Sequence, residues 1–454
     1  MTEAVIPGRD NHSCNVGKKP ANLAVVTATA LILLLAAVVA ASPPVPIYDE
    51  AYYLESVWFL GRHFDFAALM ATRLDVAAGP FYAYLHHFAG PLTGLRPPAI
   101  RYVNLSALII AILATAATIR RIGYDQPLAR AAMLLAVPMI WPTSGLALTE
   151  LPSLALVSIA VLAVVIAIGD STARQWPLLL LAGLSAGLAI TARQTYLPAL
   201  AGLLLIGVCR RQLLGPALAA IFVAVAVASP MIMAWHGLAP PWQQSTTGFS
   251  AVHGIMAFIY LATVTLLIAP GFFVSAMEDH RVRVAAGMAI AAASVAILGT
   301  GIRLDIAGRV FMRLPLPLQL PAQMAVSAAM GCVAAAMVVA TAIHLWRRRA
   351  DRPFMLLGLL TVMMTGTAAG ILWQFSSRYV LAAFPFALLL LQPWLTINRW
   401  AVARMIGGAI LGMLSLTTYY RNAEPFTADL VKMAPTEVKQ DMASAYADRS
   451  GSRS

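Results

Sequence analysis

Long apolar runs alternate with short polar breaks over most of the chain. The first run covers about 21–42, followed by runs at about 101–119, 128–142 and 151–168. Another ends near Thr191, one starts near Tyr196, and others cover about 214–235, 251–270 and 284–300. The last runs end at Arg347, cover about 354–373, end at Asn398 and end near residue 420. A crossing helix needs about 20 mostly apolar residues, and the pattern predicts an all-α multi-span membrane protein with about 13 transmembrane helices. Breaks assigned to one side carry Arg or Lys throughout, among them Arg120, Arg121, Arg210, Arg211 and Arg347 to Arg349. That side is therefore the cytoplasmic one.

One polar break is much wider than the others. Between the first two runs, residues 43–100 carry five carboxylates (Asp49, Glu50, Glu55, Asp65 and Asp75) with Arg62, Arg73, Arg96, His63, His86 and His87. Pro43, Pro44 and Pro46 stop the preceding helix, because proline lacks a donor and clashes with the turn before it. Residues 49–63 then show helical spacing, with Tyr52, Tyr53, Val57, Leu60 and Phe64 as an apolar face. Trp58 and the tyrosines suit the headgroup level, which predicts an interfacial helix. A second short helix is expected at about 80–90, after Gly79-Pro80.

Composition supports this division. The chain is 60% hydrophobic and 11% charged, where a soluble domain carries about 25% charged residues. Its net charge of +12 sits mainly in short loops between apolar runs, which is a topology signal and excludes nucleic acid as a partner. Cys14, Cys209 and Cys332 show neither a disulfide framework nor metal-ligand spacing. Residues 1–20 form an expected cytoplasmic tail, 21–420 a transmembrane domain and 421–454 a flexible C-terminal tail. The 21–41 run is too long for the apolar region of a cleavable signal, so it is expected to be retained.

The informative charges lie on the non-cytoplasmic side: Asp49, Glu50, Glu55, Asp65, Asp75, Glu150 and Asp305, with Arg62, Arg73, Arg96, Arg101, Arg193, Arg303, Arg309, Arg313, Arg378 and Arg421. The positive-inside rule disfavours such arginines, so another free energy retains them. Arginine makes planar, bidentate contacts to phosphate or carboxylate, and these positions suit a lipid-phosphate substrate. Plainer roles exist. Asp49 and Glu50 suit a helix start, as does Glu150 before Pro152, and Arg193 suits a structural pair with Glu150. Adjacent His86 and His87 point to different helix faces, which argues against a shared metal. No phosphate-binding glycine loop, H-E-x-x-H or G-x-S-x-G motif is present.

Five stretches together resemble a known family: PIYDEAYYLESVWFL after the first run, RLDVAAGPFYAYL, IRYVNL, ALTELPSLAL and AITARQTYL. They resemble the polyprenyl-phosphate-sugar-dependent glycosyltransferases of the GT-C fold. Within these, the order is most like the DIE2-type dolichyl-phosphate-glucose α-1,2-glucosyltransferases. The resemblance covers roughly residues 44–200, with RYVLAAFPF from Arg378 as a weaker late match. It implies an inverting, metal-independent transfer of a hexose, glucose by analogy, from a polyprenyl-phosphate donor to a hydroxyl of a glycan or lipid-linked acceptor, with no cofactor. Asp49 is then the expected base with Glu50 beside it. Asp75, Glu150, Arg193, Gln194, Thr195, Arg378 and Tyr379 are the expected substrate-binding residues. Two features depart from the pattern: Ala77-Ala78 replace the family's threonines before the Gly-Pro turn, and the loops 236–250 and 301–321 match nothing in it. An Ala- and Arg-rich composition points to a bacterium, and hence to an inner-membrane protein with its site on the periplasmic face. The alternatives are a protein mannosyltransferase or aminoarabinose-transferase relative of the same fold, and a flippase or transporter of lipid-linked sugars. A transporter more often shows paired halves and helices broken at midplane.

Overall fold

The computed structural model describes residues 18–72, 78–300, 311, 314–373, 375–422 and 432–451. Among them every regular element is a helix, and nine helices are long and apolar enough to cross a membrane. The principal elements are α1 (Lys18–Ala40), α2 (Glu50–His63), α3 (Phe66–Ala71), α4 (Pro80–Phe88), α5 (Arg101–Arg121), α6 (Glu150–Gly169), α7 (Thr172–Ala192), α8 (Ala199–Cys209) and α9 (Leu214–Trp235). They continue with α10 (Ala251–Ile268), α11 (His280–Thr300), α12 (Leu316–Arg347), α13 (Arg352–Gly366), α14 (Arg399–Asn422) and α15 (Thr436–Gly451). Three of the expected crossings are shorter apolar helices, Pro127–Ala136, Gln194–Cys209 and Ser377–Leu390, and the one at 284–300 falls on α11. The first of these stops because Val137 is extended before Pro138, as sterics before proline require.

α5, α6, α7 and α9 pack side by side in that order, with α8 against α9. α13 joins α8 to α10, and α10 leads to α12 and α11. Two close crossings hold the bundle. Gly183 and Gly187 of α7 lie one turn apart, and a Cβ on Gly183 would fall 2.1 Å from the Ala220 carbonyl oxygen of α9. On α14, Gly408 and Gly412 repeat the spacing against Ala136, Pro138 and Trp141. Small residues four apart let helix backbones touch where lipid supplies no hydrophobic drive. Large apolar side chains such as Leu33, Leu113 and Phe222 are exposed on the outer faces of the bundle, as suits a lipid solvent.

Among its described residues the wide first loop folds as α2, α3 and α4 with a short helical turn at Gly90–Thr93, at one end of the bundle. Asp65 caps α3 by accepting from the backbone of Ala67 and Ala68 at 2.8 and 3.1 Å, a start signal that marks this extra helix. α4 opens with Gly79 and Pro80. A Cβ on Gly79 would fall 1.9 Å from the Thr191 carbonyl oxygen, so glycine lets α4 rest directly on α7. α2 is enclosed more deeply than an interfacial helix requires: Glu50, Ala51 and every residue from Tyr53 to Leu60 are buried. Part of the cover comes from the C-terminal segment, which is not the loose tail expected. Ala434, Val438 and Met442 are buried. Arg62 donates to the Ala434 carbonyl, the Lys432 amide donates to Glu55, and Arg96 pairs with Glu437 at 3.3 Å.

Candidate functional site

Four chain segments meet at the end of the bundle that carries α2. Asp49 precedes the first residue of α2, and Glu150 is the first residue of α6. Arg193 follows the last residue of α7, and Arg378 lies in a 3-10 turn over Ser377–Ala383. The two carboxylates and two guanidiniums alternate. Asp49 pairs with Nη2 of Arg378. Glu150 lies 3.4 Å from Nε of Arg378 and 3.2 Å from Nη2 of Arg193. Arg193 also donates to the Tyr53 hydroxyl and the Thr149 hydroxyl, both at 3.2 Å. Tyr379 lies beneath both cations, 5.2 Å from Arg193 and 5.6 Å from Arg378. Aromatic faces attract guanidinium groups electrostatically.

These groups border a cavity of about 1170 Å³ lined by Asp49, Tyr52, Tyr53, Arg193, Gln194, Thr195, Arg378 and Tyr379. Its remaining walls come from Leu197 and Pro198, from the loop after α9, including His236, Gln243 and Gln244, and from the stretch after α13, including Ile371 and Trp373. The cluster is formally neutral, yet its cations are incompletely used. Nη1 of Arg378 is buried without a hydrogen-bond partner, and its Nε has only the Glu150 ion pair at 3.4 Å, which lacks hydrogen-bond geometry. A buried donor left unpaired costs roughly 1–3 kcal/mol and calls for an explanation. Tyr53 sits among these charges, and burial raises its hydroxyl pKa.

Glu50 does not join its neighbour. It is fully buried and faces Arg101, the first residue of α5. Nε and Nη2 of Arg101 donate to Glu50 at 2.9 and 2.7 Å. Its other donations go to Ser42 Oγ and to the carbonyls of Pro43 and Val45, at 2.5, 2.8 and 2.9 Å. All five guanidinium donors are thus used. Glu50 also accepts from the amides of Ile47 and Ala147, each at 2.9 Å. The pair ties the entry to α2 to the turn before α6, and so sets where Asp49 and Glu150 stand. Asn104 adds to this by donating to the carbonyls of Thr143, Leu146 and Leu148 at 3.1, 2.7 and 2.7 Å.

Of the residues singled out in the sequence, Asp49, Glu150, Arg193, Gln194, Thr195, Arg378 and Tyr379 converge here. Glu50 is a support of the site, and Asp75 lies outside the described residues. Sequence reasoning read Tyr53 only as part of an apolar face, grouped Arg101 with the arginines suited to a phosphate, and passed over Asn104 and the glutamines of the loop after α9. Arg101 and Asn104 stood in the stretch IRYVNL, and their spacing of three places both on one face of α5. Among the described residues no group of three or more His, Cys, Asp or Glu side chains could hold a metal ion.

No protein-family model matches the chain, and no curated protein matches it. Among solved structures it is similar to ArnT from Cupriavidus metallidurans in the apo state, at 16% identity and a TM-score of 0.46 over 88% of this chain and 79% of that one. It is similar to the same protein bound to undecaprenyl phosphate, at 16% identity and a TM-score of 0.47 over 90% and 79% of the two chains. The S. cerevisiae protein O-mannosyltransferase Pmt1-Pmt2 complex bound to the sugar donor is similar at 14% identity and a TM-score of 0.34, over 53% and 37%. Likenesses this loose assign no donor, acceptor or residue role. The fold and site together define a multi-pass membrane protein with an ion-paired polar cavity at one end of its helical bundle.

Proposed function

We propose that the chain is a GT-C-type glycosyltransferase that moves a hexose, glucose by sequence resemblance, from a polyprenyl phosphate to a hydroxyl of a glycan or lipid-linked acceptor. The observation that carries the reading is the ion-paired cluster of Asp49, Glu150, Arg193 and Arg378, from four distant parts of the chain, three of which (Asp49, Arg193 and Arg378) line one large cavity. A lipid-phosphate donor needs cations at its leaving oxygen and no proton there, because the phosphate is already a good leaving group. Arg378 has donors to spare, and Arg193 lines the cavity beside it. When the donor phosphate takes Arg378, Asp49 loses its partner and becomes free to accept a proton. The acceptor oxygen then attacks the anomeric carbon as its proton passes to Asp49. The bond from that carbon to the phosphate oxygen breaks, and the polyprenyl phosphate leaves with the electron pair. One displacement inverts the anomeric centre. The site faces the periplasm of a bacterial inner membrane in this reading, because the opposite ends of the helices carry most of the loop arginines.

The test is sugar transfer by purified protein from synthetic polyprenyl-phosphate-glucose and polyprenyl-phosphate-mannose, with EDTA present. Wild type is expected to consume the glucose donor. Asp49→Asn is expected to bind it and to turn over about a hundred- to ten-thousand-fold more slowly. Undiminished turnover by Asp49→Asn removes the base assignment, and failure to consume either donor removes the hexose reading.

A further inference from the structure

A second cleft, of about 470 Å³, opens between α6, α8 and α13. Its walls are apolar, with Val157, Val165, Ala199, Ile206 and Leu360 among them, and two cations, Arg210 and Arg352, stand at one end. The depth of that end follows from the helices. α6 begins in the candidate site with Glu150, and α13 ends at Gly366 in the site cavity. Arg352 opens α13, and Arg210 follows the last residue of α8. Both therefore belong to the membrane face opposite the site. Along α6 the cleft runs from Val157 to Ile168, about 16 Å at 1.5 Å per residue. That is close to half of the roughly 30 Å hydrocarbon core, the depth of one leaflet.

Basic residues line this whole face as a topology signal, so position alone gives the two arginines no further role. Their surroundings do. Both are exposed at the mouth of an apolar cleft, and neither pairs with an acidic side chain among the described residues. Asp351, next in the chain, already accepts from the Phe354 amide at 3.1 Å and lies 3.8 Å from Arg348. Among the described residues the Arg210 guanidinium donates only to the Ile168 carbonyl, at a long 3.5 Å. An occupant must match a leaflet-long apolar slot and bring an anion to the end far from the site. A polyprenyl tail descending from the site matches only the first requirement. We propose that the cleft seats an acyl chain of an anionic phospholipid from the leaflet opposite the site, with Arg210 and Arg352 on its phosphate. Arginine forks suit phosphate oxygens, and anionic lipids draw cations at this depth.

The test uses the full chain in neutral detergent, titrated with phosphatidylglycerol or with phosphatidylcholine of the same chains, and read by native mass spectrometry of bound lipid. About ten-fold tighter retention of phosphatidylglycerol is expected. The exposed pair Arg210→Gln and Arg352→Gln should abolish the preference without altering the protein's own melting temperature. Val165→Trp, which fills the slot, should lower uptake of phosphatidylglycerol. Equal retention of the two lipids, or a preference that survives the double substitution, overturns the proposal. So does a Val165→Trp protein that keeps phosphatidylglycerol but loses binding of a polyprenyl phosphate, which would give the cleft to the tail of that lipid.

Discussion

Arg101 shows how much a single residue carries. Two charges with no water around them are costly, and the cost is met here by a complete set of short hydrogen bonds. Removing one partner leaves the other charged and unpaired in the interior. Arg101→Leu is therefore expected to destabilise the protein by about 3–5 kcal/mol, seen as a fall in apparent melting temperature in detergent. Glutamate 50 should behave alike if altered, which separates a support from a reacting group: activity and stability fall together. Asp49→Asn should cost less stability than Arg101→Leu, because its side chain is a quarter exposed and Arg378 keeps Glu150 as a carboxylate partner. His86 gives a residue-scale test by pH. It is fully buried, with Nδ1 3.0 Å from the Tyr82 carbonyl oxygen, and burial lowers its pKa to about 4 from an ordinary 6.5. The unfolded chain then binds the proton more readily than the folded one. Stability is full above about pH 6.5 and is lost as pH falls through 4, by about 3 kcal/mol in all. Melting temperatures between pH 4 and 7 should show this slope, and His86→Phe should flatten it.

At the scale of elements, the crossing of α7 over α9 decides where Arg193 stands. Gly183→Ala would gain up to about 1 kcal/mol in helix propensity. The added Cβ would meet backbone at 2.1 Å, and backbone cannot swing aside. Overpacking costs about 1–3 kcal/mol, so the clash wins and the variant should melt lower. Because α7 ends at Arg193, donor transfer should fall as well, whereas the same substitution at Gly358, which has open space around it, should do neither. The long helices were legible in the sequence because lipid imposes one crude rule, length and apolarity. The short ones were less so. The segment at 128–142 is apolar apart from Arg130, but Pro138 splits it; Trp141 donates back across the break to the Leu135 carbonyl, and Asn104 holds the Thr143 carbonyl just beyond, in place of a continuous ladder. No periodicity carries that information, since the partners lie on other helices.

At the scale of the whole molecule, the candidate site could be named residue by residue but not drawn. Asp49, Glu150, Arg193 and Arg378 stood out as charges on the side that should lack them. Their alternation in space could not be read, because it depends on how four helix ends are brought together. Glu50 illustrates the limit: adjacency in sequence to Asp49 suggested a shared role, and one step around the helix turned it toward Arg101 instead. The C-terminal segment escaped for a related reason. Its polar composition resembles that of an unstructured tail, and the few apolar residues it buries, among them Val438 and Met442, count only once the surface they cover is known. Removing residues 432–454 is expected to expose that surface and to cost several kcal/mol, since each large apolar side chain buried contributes about 1.5–3 kcal/mol. The truncated protein should melt lower and, with α2 unbraced, transfer sugar more slowly.

The ion pair between Asp49 and Arg378 spans 329 positions of the chain. A ribosome adds about 5–20 residues each second, so roughly half a minute separates the emergence of the acid from that of its partner. Glu150 waits far less, because Arg193 follows it closely. Throughout that interval the growing polypeptide holds Asp49 without the guanidinium that pairs with it in the folded chain. Unfinished copies and finished ones thus differ in an electrical feature at the membrane as well as in length.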